Sequence, residues 1–184
     1  MSWTLRKDHY TALARKIEPS CRLTTKDGWF WKVLAVLLHA LTFGKMSYST
    51  FLEDYGTTIG PVIASPRAWT ALSEGYLVHE ATHAADMRKA GLWIHPWVGI
   101  VPFGLVYLLF IFPMGLAWAR YRLELRADTA RWKHELSAGG TAATIRYHAQ
   151  RRGEALSGAP YAWAWPWALE PYKQRAEAVI QGKV

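Results

Sequence analysis

The sequence predicts a mostly α-helical (α+β) fold formed by a single domain over residues 1–184. Six segments carry helical periodicity or helix-end signals, whereas a strand pattern occurs once. With 51% hydrophobic and 20% charged residues, the chain has the composition of a folded protein. A length of 184 residues suits one compact domain with its own core and is short for two.

The first half of the chain contains two predicted helices and the predicted strand. Residues 4–18 form an amphipathic pattern with apolar residues on one side, which indicates a surface helix. Residues 29–43 form a mainly apolar stretch that is interrupted by Lys32 and is too short to span a membrane, so a buried core helix is expected there. Residues 57–64 combine β-branched side chains with glycine and proline at the ends, which predicts one strand.

The second half of the chain is predicted to be helical throughout. Ser73 can cap a helix over residues 74–90, and basic residues followed by Gly91 are typical of a helix end. Further helices are expected at residues 114–137, 141–152 and 168–181.

The stretch from residue 98 to residue 119 contains 22 residues without a charge, which is the length of a transmembrane helix. Pro102 and Pro113 divide it into pieces of about ten residues, which a single spanning helix would tolerate poorly. Two interpretations stay open. The stretch forms a buried hairpin or lid, or it contacts a membrane.

Charge and cysteine content bear on the surroundings of the protein. The net charge of +8 favours anionic partners, although no basic run of five residues and no nucleic-acid motif is present, and a solvated basic surface also explains it. The single Cys21 cannot form an internal disulfide, which favours a reducing compartment. The first 27 residues are polar and basic, so no cleavable signal peptide is expected. A cytoplasmic or membrane-associated location follows.

A His-Glu-x-x-His motif lies inside the predicted helix at 74–90. His79 and His83 are four residues apart, so they share one helix face and present two imidazoles to a single point. Glu80 is rotated by about 100° from His79, near enough to hold a water molecule beside a metal without being a ligand. The pattern predicts a metal site, and a polar helix face with hydrogen-bonded histidines is the alternative.

A third ligand must come from elsewhere, because a catalytic zinc normally takes three protein ligands. Glu124 and Asp128 are again four apart on one predicted helix face, 41 residues after His83. Taken alone, such a pair is a weak signal, but a glycine- and proline-rich reversal precedes it and could bring this helix back across the first. Glu124 is therefore the candidate ligand.

The segments HEATH (79–83) and ELRAD (124–128) resemble the gluzincin branch of zinc metallopeptidases. The Glu-x-x-Ala-Asp form is similar to that of the HtpX and CaaX-prenyl-protease group, and the order TTIGPVIASP, HEATH, RYRLELRAD resembles small metallopeptidases of bacteria and their phages. This chain is much shorter than the HtpX group and lacks its several clear membrane spans. The resemblance implies a minimal zincin-like domain, with an active-site helix, an edge strand and a second helix that bears the glutamate.

The resemblance also implies a role for each motif residue. His79, His83 and Glu124 would be the ligands of a zinc ion, and Glu80 the general base. Asp128 would orient a ligand histidine, His79. On the strand, the substrate backbone would lie along three residues, Thr58, Ile59 and Gly60.

Several residues outside the motifs are candidates for stabilising a transition state. His134 and His148 follow the Glu124 helix and could reach the site, His95 could border the cleft, and Tyr161 is a candidate by elimination. The aromatic-rich stretch at 161–172 suits a partner surface, a membrane interface or closure of the core.

Three functions are compatible with these observations. The first is a zinc-dependent endopeptidase that acts on a peptide or protein substrate. The second is a structural or interaction protein, such as a component of a phage particle, that retains a zincin-like fold and its zinc. The third is a membrane-associated protease that contacts the bilayer through residues 98–119.

Overall fold

Eight helices and a three-stranded sheet are present in the residues that the computed structural model describes, so the predicted mostly helical α+β class is confirmed. The described residues are 3–41, 44, 46–66, 73–108, 113–158 and 165–184. The helices are α1 (Trp3–Ile17), α2 (Trp29–Leu41), α3 (Tyr48–Glu53), α4 (Glu74–Ala90), α5 (Pro96–Leu108), α6 (Pro113–Ser137), α7 (Ala142–Ser157) and α8 (Leu169–Ile180). The strands are β1 (Arg22–Thr25), β2 (Thr57–Ile59) and β3 (Val62–Ser65).

The sheet corrects the prediction of one strand over residues 57–64. Gly60 adopts a φ of +57°, a conformation that glycine reaches without steric cost, and the chain reverses there into an antiparallel hairpin of β2 and β3. Strand β1 pairs with β3 in parallel, so the strand order is β1-β3-β2 and β2 is an edge strand. The sequence did not predict β1, which is only four residues long.

Helix α4 has the bounds that its end signals predicted. The hydroxyl of Ser73 accepts a hydrogen bond from the backbone N–H of Tyr76 at 3.1 Å, and Gly91 follows the last turn. Residues are buried around most of the helix, because α1, α5, α6 and the sheet all pack against it. Gly99 of α5 approaches so closely that a Cβ there would lie 1.6 Å from the carbonyl oxygen of Met87. The motif helix is thus the centre of the fold.

Helix α2 differs from the buried core helix that its composition predicted. Trp31 and Ala35 are buried in a cluster with Phe51 and Leu52 of α3. The opposite face is equally apolar and exposed to solvent, and it consists of Trp29, Phe30, Val33, Val36 and Leu37. Composition could not show this difference, because both faces of the helix are made of the same residue types.

The charge-free stretch at 98–119 is divided between α5 and the beginning of α6. Val98 and Val101 each expose more than half of their surface, which contradicts a buried hairpin at this end of the stretch. The side chains of residues 103–117 lie outside the described part. None of the helices in the described residues combines the length and the apolar character that crossing a membrane requires.

Candidate metal centre

Helices α4 and α6 cross at the motif residues and bring three predicted ligands together. The Nε2 atoms of His79 and His83 are 3.1 Å apart. Oε2 of Glu124 lies 3.4 Å from Nε2 of His79 and 3.9 Å from Nε2 of His83. All three side chains are buried, with Glu124 only 1% exposed. Two imidazoles on one helix and a carboxylate on the next therefore converge on one point, as the spacing predicted.

These distances fit a small tetrahedral cation. Ligand atoms about 2.0–2.1 Å from a tetrahedral centre are separated from one another by about 3.3 Å. The observed separations of 3.1, 3.4 and 3.9 Å bracket that value. Among the described residues, the side chains of His79, His83 and Glu124 form a group that could hold a metal ion. A tetrahedral cation held by these three atoms would have a fourth position for another group.

Asp128 determines which nitrogen of His79 faces this point. Its Oδ1 lies 2.9 Å from Nδ1 of His79, and its Oδ2 accepts a hydrogen bond of 3.0 Å from the hydroxyl of Tyr172. A carboxylate on one ring nitrogen holds the other ring nitrogen toward a metal. Tyr172 is the last residue of the aromatic stretch at 161–172, and it is fully buried in α8. Through this residue the stretch contacts the site and also packs in the core.

Arg152 of α7 is the main member of the cluster that the motifs did not indicate. Its Nη2 lies 2.5 Å from Oε2 of Glu124, and its Nε lies 3.4 Å from Oδ2 of Asp128. One guanidinium therefore compensates both carboxylates of α6. Neither spacing nor sequence context distinguishes Arg152 from its neighbour Arg151, so only the packing of α7 on α6 reveals this role.

The charges of the cluster shift the pKa values of its members in different directions. Burial by itself would lower the pKa of His79, but the carboxylates of Asp128 and Glu124 outweigh it and raise the pKa to about 10. Burial and the neighbouring His79 lower the pKa of His83. Burial would raise the pKa of Glu124, but Arg152 and His79 hold it well below its usual range. In the metal-free cluster, His79 is therefore expected to be protonated on both ring nitrogens at neutral pH, whereas His83 is expected to be neutral.

Glu80 lies beside the cluster and contacts the edge strand. Oε2 of Glu80 accepts a hydrogen bond of 2.6 Å from the hydroxyl of Thr58 in β2. Ile59 instead packs against the α2 cluster, and the N–H of Gly60 lies 3.1 Å from the sulfur of Met87. Of the three strand residues singled out in the sequence, Thr58 is thus the one that contacts a motif residue.

No protein-family model, curated protein or solved structure matches this chain. The candidate metal centre is therefore supported by its own geometry and by the sequence motifs, and the resemblance to gluzincins stays a hypothesis.

The other histidines named in the sequence lie elsewhere. His134 pairs with Glu74 at 2.8 Å, and His148 lies 3.5 Å from Glu135. Both line a cavity between the beginning of α4 and the loop that joins α6 to α7, so the expectation that they reach the metal centre was wrong. His95 lies in the α4–α5 loop, and its Nδ1 accepts a hydrogen bond from the backbone N–H of Trp97 in the first turn of α5.

The aromatic stretch at 161–172 is described only from residue 165 onward. Residues 161–164, and with them the candidate Tyr161, lie outside the described part of the chain. Trp165 packs against the cluster of α6, α7 and α8, which agrees with closure of the core, whereas Trp167 is 58% exposed.

Taken together, the described geometry can hold a cation through two nitrogens and one oxygen. The carboxylate of Glu80 directly follows His79 in α4, the position at which hydrolytic His-Glu-x-x-His sites carry a proton acceptor.

Proposed function

We propose that the protein is a zinc-dependent endopeptidase. The observation that carries the proposal is the convergence of Nε2 of His79, Nε2 of His83 and Oε2 of Glu124, with Glu80 beside them. Two imidazoles and a carboxylate form the ligand set of many hydrolytic zinc sites. This donor set suits zinc better than magnesium or calcium, which prefer oxygen ligands.

In this proposal, a zinc ion bound by His79, His83 and Glu124 supplies the Lewis acidity that polarises a peptide carbonyl and makes a water molecule more acidic. Glu80 accepts a proton from the attacking water and passes it to the nitrogen of the leaving amine. The hydroxyl of Thr58 holds one oxygen of Glu80, which leaves the other available for the proton.

Strand β2 suits the binding of an extended substrate. It is an edge strand, and Thr58 within it contacts Glu80. A peptide that added to this edge would receive main-chain hydrogen bonds next to the proposed base. Such binding recognises the backbone of a peptide and supports an endopeptidase that accepts extended segments.

An interaction protein with a structural metal site is the second candidate. The observation that favours it is burial, because His79, His83 and Glu124 are 7%, 6% and 1% exposed. Structural zinc sites are closed, whereas catalytic sites keep one position open to water and substrate. A role as a component of a phage particle belongs to this candidate.

Metal analysis and turnover together test both candidates. We expect about one zinc per chain in the purified protein, loss of zinc in Glu124→Ala, and retention in Glu177→Ala, a matched change of an exposed glutamate in α8. Circular dichroism checks that each variant is folded. Zinc with cleavage of a fluorescent casein supports the endopeptidase. Zinc without cleavage of any protein substrate supports the interaction protein, and a wild type that binds no zinc contradicts both.

A further inference from the structure

The loop between α4 and α5 presents a row of large apolar side chains to solvent. Leu92, Trp93 and Ile94 are 80%, 63% and 67% exposed. The row continues on the first turns of α5. Its full membership, which we call the loop patch, is Leu92, Trp93, Ile94, Trp97, Val98 and Val101. Single exposed apolar residues are ordinary on proteins, but a contiguous group of this kind marks an interaction site.

The backbone of this loop is strained at two residues whose side chains are exposed. Leu92 and Trp93 adopt φ values of +56° and +63°, which side-chain-bearing residues rarely reach. Two such residues in succession cost free energy, and glycine or asparagine would relieve that cost. A strained loop that exposes rather than buries a leucine and a tryptophan gains nothing for the folded core. The positive φ values of Leu92 and Trp93 therefore indicate that this loop has a function other than packing in the core.

Basic residues outnumber acidic residues in the part of the sequence that contains the loop patch, and one of them, Arg88, is paired with Glu18 at 3.1 Å. No Asp or Glu occurs between Asp86 and Glu124, whereas four Lys or Arg residues lie in this interval. The ammonium of Lys89 lies 5.5 Å from the centre of the Trp93 ring, and the guanidinium of Arg122 lies 5.7 Å from that of Trp118. Tryptophan beside a cation is typical of the boundary between lipid headgroups and acyl chains.

The outer face of α2 is a second exposed apolar surface without acidic residues in its sequence. No Asp or Glu occurs between Asp27 and Glu53, and the exposed apolar residues of this face are Trp29, Phe30, Val33, Val36 and Leu37. The β2–β3 turn lies between the two surfaces, because Ile59 packs against the α2 cluster and a Cβ on Gly60 would lie 2.8 Å from the ring of Trp97. Two apolar, acid-free surfaces therefore flank one turn.

We propose that the loop patch inserts into the interface of an anionic membrane, with the outer face of α2 as a second contact. The patch exposes two tryptophans beside aliphatic side chains, as membrane-interface segments do, and the ammonium of Lys89 at Trp93 complements anionic headgroups. A symmetric dimer through the same patch would instead bring its cations against each other. The proposal concerns contact with the membrane surface at residues 92–101, and it is independent of the metal centre.

Vesicle co-sedimentation of the full chain tests this inference. The probes are vesicles of phosphatidylcholine alone and of phosphatidylcholine with an equal part of phosphatidylglycerol. We expect the wild type to sediment with the second and much less with the first. Trp93→Gly should lower this partitioning about tenfold, because a tryptophan is removed from the interface. The same variant should unfold at an unchanged or higher temperature, since glycine adopts the required φ.

The matched control is Tyr147→Ser, which removes an aromatic side chain that is 62% exposed on α7. It should leave vesicle binding unchanged. Equal binding to both kinds of vesicle, no binding to either, or full binding by Trp93→Gly would overturn the proposal. A wild-type dimer in size-exclusion chromatography that Trp93→Gly converts to a monomer, without vesicle binding, would overturn it in favour of a second copy. Vesicle binding by Glu124→Ala should equal that of the wild type, so this test does not depend on zinc.

Discussion

The Nδ1 atom of His79 lies 2.9 Å from Oδ1 of Asp128, so a carboxylate of α6 fixes the orientation of a histidine of α4. Nε2 of the same ring then points to His83 and Glu124. A metal-binding histidine is commonly held by a carboxylate in this way, because the second hydrogen bond sets the tautomer and raises the basicity of the ligand nitrogen. This hydrogen bond between His79 and Asp128 connects the two motifs, although Glu124 follows His83 by 41 residues in the sequence.

Asp128→Asn is expected to weaken zinc binding by about 10–100-fold without abolishing it. The amide keeps the shape of the carboxylate and loses the charge that holds His79. Zinc affinity is measured by competition with a chelating dye. Tyr172→Phe is the graded control, because it removes the other hydrogen bond of Asp128 and leaves the His79 contact in place. A wild-type affinity in Asp128→Asn would contradict the role assigned to this residue.

Glu80→Gln is expected to keep zinc and lose peptide hydrolysis by a factor of about 10²–10⁴, the usual contribution of a general base. The amide still accepts the hydrogen bond from Thr58 but cannot accept a proton. Zinc content and casein turnover are measured on the same preparation. Turnover at the wild-type rate would exclude Glu80 as the base.

Arg152→Gln is expected to destabilise the metal-free protein by about 1–3 kcal/mol, because two buried carboxylates lose their guanidinium. Zinc affinity should remain equal or rise, since a positive charge next to a ligand oxygen is removed. Urea unfolding and dye competition measure the two effects. Arg146→Gln on the same helix breaks a pair with Glu177 that is exposed to solvent, and it should leave the free energy of unfolding nearly unchanged. A folded Arg152→Gln protein without zinc affinity would show that the arginine supports the metal site itself.

Zinc binding at pH 7 is expected to release about one proton per metal ion. The pKa of His79 is raised to about 10, so this ligand is protonated before metal binding, whereas the lowered pKa of His83 leaves it neutral. The apparent zinc affinity should therefore rise about tenfold per unit between pH 6 and pH 8. Calorimetry in buffers of different ionisation enthalpy counts the protons. Asp128→Asn should release fewer, because the main cause of the raised pKa is removed.

The same shift makes the stability of the metal-free protein depend on pH. The folded pKa of His79 lies above its usual value of 6.5, so its contribution is fully present below pH 6.5 and is lost as the pH rises through about 10. A zinc ion bound to His79 would replace this proton, so zinc-loaded protein is expected to show no such loss of stability between pH 6.5 and about 10. The test compares the free energy of unfolding of wild type and His79→Gln in chelator-treated protein. A difference that grows with rising pH would contradict the raised pKa of His79.

Cys21 is expected to stay unreactive in the folded protein. Burial, and then the charge of Glu18, raise the pKa of its thiol to about 12, and its surface is fully buried. Modification by a thiol reagent at pH 8 should therefore follow the unfolding transition in urea. Rapid modification without denaturant would show that the α1–β1 region opens on its own.

Local signals in the sequence were sufficient for most of the helices and for the ligand set. The cap at Ser73 and the end at Gly91 defined α4 to the residue, because both act within one turn of the helix. The spacing of His79 and His83 also determined that both side chains lie on one face. Glu124 could be selected because its helix was predicted to return across α4.

Contacts between distant elements were decided only by the tertiary structure. Arg152 and Tyr172 reach Glu124 and Asp128 because α7 and α8 pack on α6, and no local pattern reports that packing. His134 and His148 carry the right chemistry but face Glu74 and Glu135 instead. The sequence by itself determined which groups can bind a metal, since residue type and helical period are local properties. The tertiary structure decided which charges surround them and which apolar faces stay in solvent, because both depend on the packing of elements far apart in the chain.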